Sequence, residues 1–156
     1  MFELHYNIEG DTVFSRRFQR FGEDVKDMSP LWGLLATDFF TVNEREQFAT
    51  QGAYGSGRWE PLSEPYRSWK AQKFPGAGIL VRTGALKASL TRQGAPGNVL
   101  RITPEYVEMG TDIPYAGYHQ HGTDKMTDRP PLALPQRSRT SWSRITAEWL
   151  LKRLPS

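Results

Sequence analysis

Cysteine is absent from all 156 residues. This excludes disulfide staples, thiolate nucleophiles and Cys-ligated zinc together, and gives no sign of an oxidising compartment. Long apolar runs are absent as well. The stretch from Leu31 to Ala36 is a few residues long, against the ~20 that a membrane-crossing helix needs, so no membrane partner is expected. Neither sign of charge dominates: Lys and Arg number 20 and Asp and Glu 17, for a formal charge of +3. The cations are scattered among the acids without a long basic run, so nucleic acid is permitted but not indicated. No Gly-X-Ser-X-Gly elbow occurs, and no Gly-Lys-Ser/Thr follows the glycines at 52–57, so neither a hydrolase nucleophile nor a phosphate loop is in place. The opening MFELHYNIEGD carries acids and no basic residue ahead of an apolar stretch, unlike a secretory leader. Synthesis and assembly in the cytoplasm are expected.

The length fits a single domain spanning 1–156. Hydrophobic content of 38% and charged content of 24%, with a mean hydropathy of −0.59, are polar for a globular chain. They point to extended loops or to an edge completed by partners, and so to a homo-oligomer.

Phe2, Leu4, Tyr6 and Ile8 alternate with polar residues, the pattern of a half-buried strand ended by Gly10. Asp11 then stands as a cap for a helix carrying Phe14, Phe18, Phe21 and Val25 on one stripe. Ser29-Pro30 signals a second, longer helix to about Phe48, with Leu31, Leu35, Phe39, Val42 and Ala49 at helical spacings. Residues 51–57, with three glycines, read as an exposed, mobile loop. Ser63 and Pro65 open a short helix from Glu64 to Lys73, and Thr83 caps a helical turn through Ala85 to Lys87. Ala88–Arg92, Val99–Thr103 and Tyr106–Gly110 read as an antiparallel meander divided by turns. A helical turn at Tyr115–His121, a polar loop at 123–129, a short strand at Leu132 and Leu134, and an amphipathic helix from Ser138 to Leu154 complete the chain. The expected fold class is α+β.

The densest stretch runs from Gly57 to Leu90. Trp59, Tyr66, Trp69 and Phe74 are interleaved with Arg58, Arg67, Lys70 and Lys73, and Pro61, Pro65 and Pro75 stiffen the backbone between them. Aromatics beside arginine are the composition of an interface anchor, and equally of a core, so both readings of Trp59 and Trp69 stay open. Single-strand nucleic-acid binders use the same mixture, but Glu60 and Glu64 interrupt the cations here. His119 and His121 with Asp124 and Asp128 are ligand types for zinc or manganese. Their spacing does not make a site: His-X-His brings both rings to one side only in an extended strand, and no third His is near. No metal, no cofactor and no catalytic residue is expected.

The order Trp59-Glu60-Pro61-Leu62-Ser63, Tyr66, Trp69-Lys70, then Ile79 to Leu86 through Arg82-Thr83-Gly84, then Tyr115-Ala116, His119-Gln120-His121-Gly122 and Arg129-Pro130, resembles the tailed-phage virion morphogenesis (tail completion) family. The resemblance implies a non-enzymatic structural protein of the virion neck, needed for tail completion and head-tail joining. It implies partners among tail tube or terminator proteins and head connector proteins, with DNA only a transient neighbour passing through a ring of copies. Six-fold symmetry would match a tail tube. Arg58, Trp59, Trp69, Arg82, Thr83, Tyr115 and His119 are the expected contact residues. The alternative class is a nucleic-acid-binding accessory protein.

Overall fold

The structure, a computed structural model, describes residues 11–154. The strand expected at Phe2 to Ile8 lies outside the described residues. The architecture is α+β, with helix α1 (Asp11–Lys26), a long helical run, helices α4 (Glu64–Lys73) and α5 (Ala85–Thr91), a two-stranded sheet, the short α6 (Ala116–His121) and the closing α7 (Gln136–Leu151).

The long run is the spine. It comprises α2 (Ser29–Asp38), a π-helical turn at Phe39–Asn43 and α3 (Glu44–Ala49). Its buried side recurs every fourth residue, at Leu31, Leu35, Phe39, Asn43 and Gln47. A regular α-helix would turn such a series aside by about 40° at each step. The wider π turn takes up the drift and keeps the series facing inward. Hence Val42, expected on the buried stripe, is 45% exposed, and Asn43 is fully buried in its place. Ala49 is exposed as well.

Three apolar clusters follow one another along this spine. Leu31 and Leu35 pack with Trp149, Val25, Ile145 and Leu150, so α1 and α7 close one end. Ala36, Phe39 and Phe40 pack against Leu100 and Met109 of the sheet, with Trp142 shared between these two clusters. Phe48 meets Trp59, Leu86, Leu90 and Ala116 at the other end, and Leu132 touches this cluster and the middle one. The apolar face expected on the last helix is confirmed: Trp142, Ile145, Trp149 and Leu150 all lie against the core.

The sheet is smaller than the expected meander. Strands β1 (Asn98–Ile102) and β2 (Val107–Thr111) pair antiparallel, with Asn98 opposite Thr111 and Ile102 opposite Val107. The third expected strand, Ala88–Arg92, is helical as far as Thr91. Leu86 and Leu90 sit one turn apart and are buried, while Ser89 and Thr91 donate their hydroxyls to the carbonyls of Leu86 at 2.8 Å and Lys87 at 2.7 Å. Burial of that i, i+4 pair outweighs the strand-like composition. No strand forms at Leu132 and Leu134 either. There the Gln120 amide substitutes for a strand partner, donating to the Leu132 carbonyl at 3.0 Å and accepting from its N–H at 3.1 Å.

The capping signals hold to within a residue. Ser63 is the N-cap of α4, whereas α5 opens on Gly84 at φ +84, with the Thr83 hydroxyl accepting from the Ala85 N–H at 3.4 Å. Ser29 lies inside the first turn of α2, and the Asp27 carboxylate takes the capping role by accepting from the Ser29 N–H at 3.0 Å.

Candidate functional site

The spine ends in a polar knot that ties distant segments together. Asn43 donates to the Ala133 carbonyl at 2.7 Å and accepts from the Ser138 hydroxyl at 2.6 Å. Gln47 donates to the Pro130 carbonyl at 3.0 Å and accepts from the Gly55 N–H at 3.0 Å. The 51–57 segment is therefore folded onto the knot, and the exposed loop expected there is corrected: Gly52 is buried, at φ +90, with the Trp59 indole packed directly against it. A positive φ under such a contact admits glycine readily and other residues poorly.

Trp59 continues the knot. It is 3% exposed, meets Phe48 edge-to-face at 5.5 Å, and donates its indole N–H to the Pro130 carbonyl at 2.9 Å. One step along the chain, the Arg129 guanidinium donates to the Glu60 carbonyl at 2.7 Å and the Pro61 carbonyl at 2.9 Å. The Arg129 N–H also donates to the His119 carbonyl at 2.8 Å. Trp59 to Pro61 and Arg129-Pro130 are thus two halves of one clamp.

Above the clamp opens a cleft of about 990 Å³ between α4, the turn before α5, the start of α6 and the 123–129 segment. Lys70, Arg82, Lys125 and Arg129 line it, and no Asp or Glu does. Two of these cations are buried, Lys70 at 4% exposure and Arg129 at 9%. Lys70 has a carbonyl as its hydrogen-bond partner, that of Gly78 at 2.6 Å. Burial lowers the Lys70 pKa, and burial followed by the nearby charges of Arg129 and Lys70 lowers that of His119. The His119 Nδ1 is buried without a hydrogen-bond partner. Leu80, on the cleft wall, stands at φ +60, in the left-handed region that disfavours a branched side chain. Strain of this kind, on the order of 1 kcal/mol or more, persists where surrounding packing imposes it.

Four of the seven expected contact residues, Arg82, Thr83, Tyr115 and His119, come together in the cleft. Trp59 lies beneath it as core. Trp69 stands outside on α4, 41% exposed, stacked on Tyr66 at 5.5 Å and 26° and meeting Phe74 at 5.9 Å. Because Tyr66 lines the cleft and the Arg82 guanidinium lies 5.8 Å from the Phe74 ring centre, the aromatic row is continuous with the cleft rim. Arg58 is exposed and lies away from the cleft lining. Sequence reasoning missed Lys70, Lys125 and Arg129. The Arg129-Pro130 pair was the available signal, but its segment read as a polar loop, whereas Arg129 is buried.

His121 is exposed, and among the described residues no three His, Asp or Glu side chains are grouped so as to hold a metal ion. Among them, too, no helix is long and apolar enough to cross a membrane. The family model described as the phage virion morphogenesis family matches residues 10–147. No curated protein and no solved structure matches the chain significantly.

Proposed function

Because the chain belongs to the phage virion morphogenesis family, with the role in virion assembly that membership carries, we propose that it is a non-enzymatic structural protein of the neck. In this reading copies assemble as a ring at the tail end, complete the tail and join it to the filled head. The supporting observation is the continuous surface formed by the Tyr66–Trp69–Phe74 row and the cationic cleft beside it. Exposed stacked aromatics next to arginine have the composition of an interface core, and a chain of this size gains nothing from leaving them in water.

The test is the mass of the purified protein over a range of concentrations, alone and with isolated tail tubes. A closed ring in either setting supports the reading, and a strict monomer that ignores tubes overturns it. The carboxylate-free cleft also favours a second reading, a nucleic-acid-binding accessory protein. A steep salt dependence of DNA binding by the monomer would mark that case.

A further inference from the structure

The cleft holds positive charge that the described chain does not neutralise. The ion pairs among the described residues are Arg67 with Glu64, Arg101 with Glu108 and Arg153 with Asp24, and none involves a cleft cation. Burying a cation with only carbonyl dipoles for partners is costly, and the cost falls when an anion enters. His119 adds a buried ring nitrogen with no partner. The walls between these groups are apolar, formed by Leu80, Leu86 and Ile113, with Tyr66 and Tyr115 at the rim. An occupant suited to such walls carries apolar and anionic groups in alternation. Arg82 and Lys125 stand exposed, as contacts to a phosphate backbone would, but Lys70 and Arg129 are less than a tenth exposed, so the deeper half of the cleft suits an inserted side chain better than a duplex backbone.

We propose that the cleft is a docking site for an acidic, aromatic-bearing peptide segment, and that its occupant is the stretch from Phe2 to Gly10 of a second copy of this chain. That stretch holds Glu3 and Glu9, no Lys or Arg, and the alternating Phe2, Leu4, Tyr6 and Ile8. Among the acids elsewhere in the chain, Glu108 pairs across the sheet with Arg101 at 2.8 Å, and Asp24 and Glu64 have arginine partners of their own. A segment of one copy entering the cleft of its neighbour joins two different surfaces, a head-to-tail contact, which closes into a ring when the rotation permits. This inference rests on the ring reading above and supplies its contact.

The experiment is sedimentation of the full chain across concentration in three variants. Glu3→Lys/Glu9→Lys reverses the segment, Arg82→Glu/Lys125→Glu reverses the exposed part of the cleft, and the third variant carries all four changes. Each reversal is expected to weaken self-association roughly tenfold or more, and the fourfold variant to recover most of it, because attraction is restored with both signs exchanged. Unchanged association in both reversed variants would overturn the proposal, as would loss without recovery. So would a segment shown by crosslinking to dock in its own chain, or an Arg82→Glu/Lys125→Glu effect seen on DNA binding and not on association. Wild-type rings that ignore these charges would sink this contact alone, whereas a wild-type chain that never associates, even on tail tubes, would sink the ring reading as well.

Discussion

The indole N–H of Trp59 donates to the Pro130 carbonyl at 2.9 Å, and the same carbonyl accepts from Gln47 at 3.0 Å. This shared acceptor joins the end of the spine, the 51–57 turn and the Arg129-Pro130 segment. Trp59→Phe keeps much of the ring and removes the donor, leaving a smaller side chain in a buried site. A loss of about 2 kcal/mol is expected from the missing bond and the volume left behind, which for a chain of this size is a fall in Tm of about 4–8 °C. An unchanged melting temperature would mean that the clamp contributes nothing.

Glycine positions separate strain from helix propensity. At Gly52 a Cβ would collide with the Trp59 indole and the Gly57 carbonyl, and φ is +90. Gly52→Ala should cost about 2 kcal/mol or more. At Gly22, inside α1, a Cβ meets nothing within 4 Å, so Gly22→Ala should stabilise by about 0.5–1 kcal/mol. Denaturant midpoints of the two variants should therefore move in opposite directions.

Glu44 is fully buried, and desolvation pushes its carboxyl up to about 8. Asn43 donates to one oxygen at 2.9 Å and the other has no partner. The folded state thus holds a proton that the unfolded state releases near 4.5. Stability from this group is complete below that lower value and is lost as pH rises towards 8, by up to roughly 4 kcal/mol. Glu44→Gln should flatten the decline between pH 5 and 8. An equally steep wild-type and variant profile would place the pH dependence elsewhere.

His119 shifts in the other direction. With burial, Arg129 and Lys70 all lowering its pKa below 6.5, the folded state takes up its proton less readily than the unfolded chain. Its contribution is present above 6.5 and lost as pH falls below that value. The imidazole should titrate below the usual histidine range by NMR, and the shift should shrink when a carboxylate-bearing segment occupies the cleft. A normal titration in the isolated protein would contradict the crowding of cations around it.

Where burial follows composition, the sequence was legible. Ser63 and Pro65 marked α4, and the spacing of Trp142, Ile145 and Trp149 marked the core face of α7, because local patterning and tertiary packing agree there. It failed where one polar residue decides the structure from a distance. Asn43 and Gln47 lie on the buried stripe because the π turn at Phe39–Asn43 keeps them there and because carbonyls at 133 and 130 await them. Nothing within a few residues of either announces those partners. The cleft is half legible: Arg82, Thr83, Tyr115 and His119 follow from the family resemblance, while Lys70 and Arg129, which stand in the same motifs, give no local sign that they are buried.

Trp69 tests whether the aromatic row serves assembly or stability. It is 41% exposed and its ring contacts are with Tyr66 and Phe74, outside the three buried clusters. Trp69→Ala removes ring stacking at the surface and opens no cavity, so its effect on folding should stay within about 1 kcal/mol. If the row packs against a neighbouring copy or a tail protein, the same change removes an anchor that the partner desolvates, and truncation of such an anchor typically costs about 2 kcal/mol or more. Melting temperature should then hold nearly constant while association, read by sedimentation or by retention on tail tubes, weakens by roughly thirtyfold. Equal losses in both measurements would assign Trp69 to the fold, and loss in neither would remove the row from the interface.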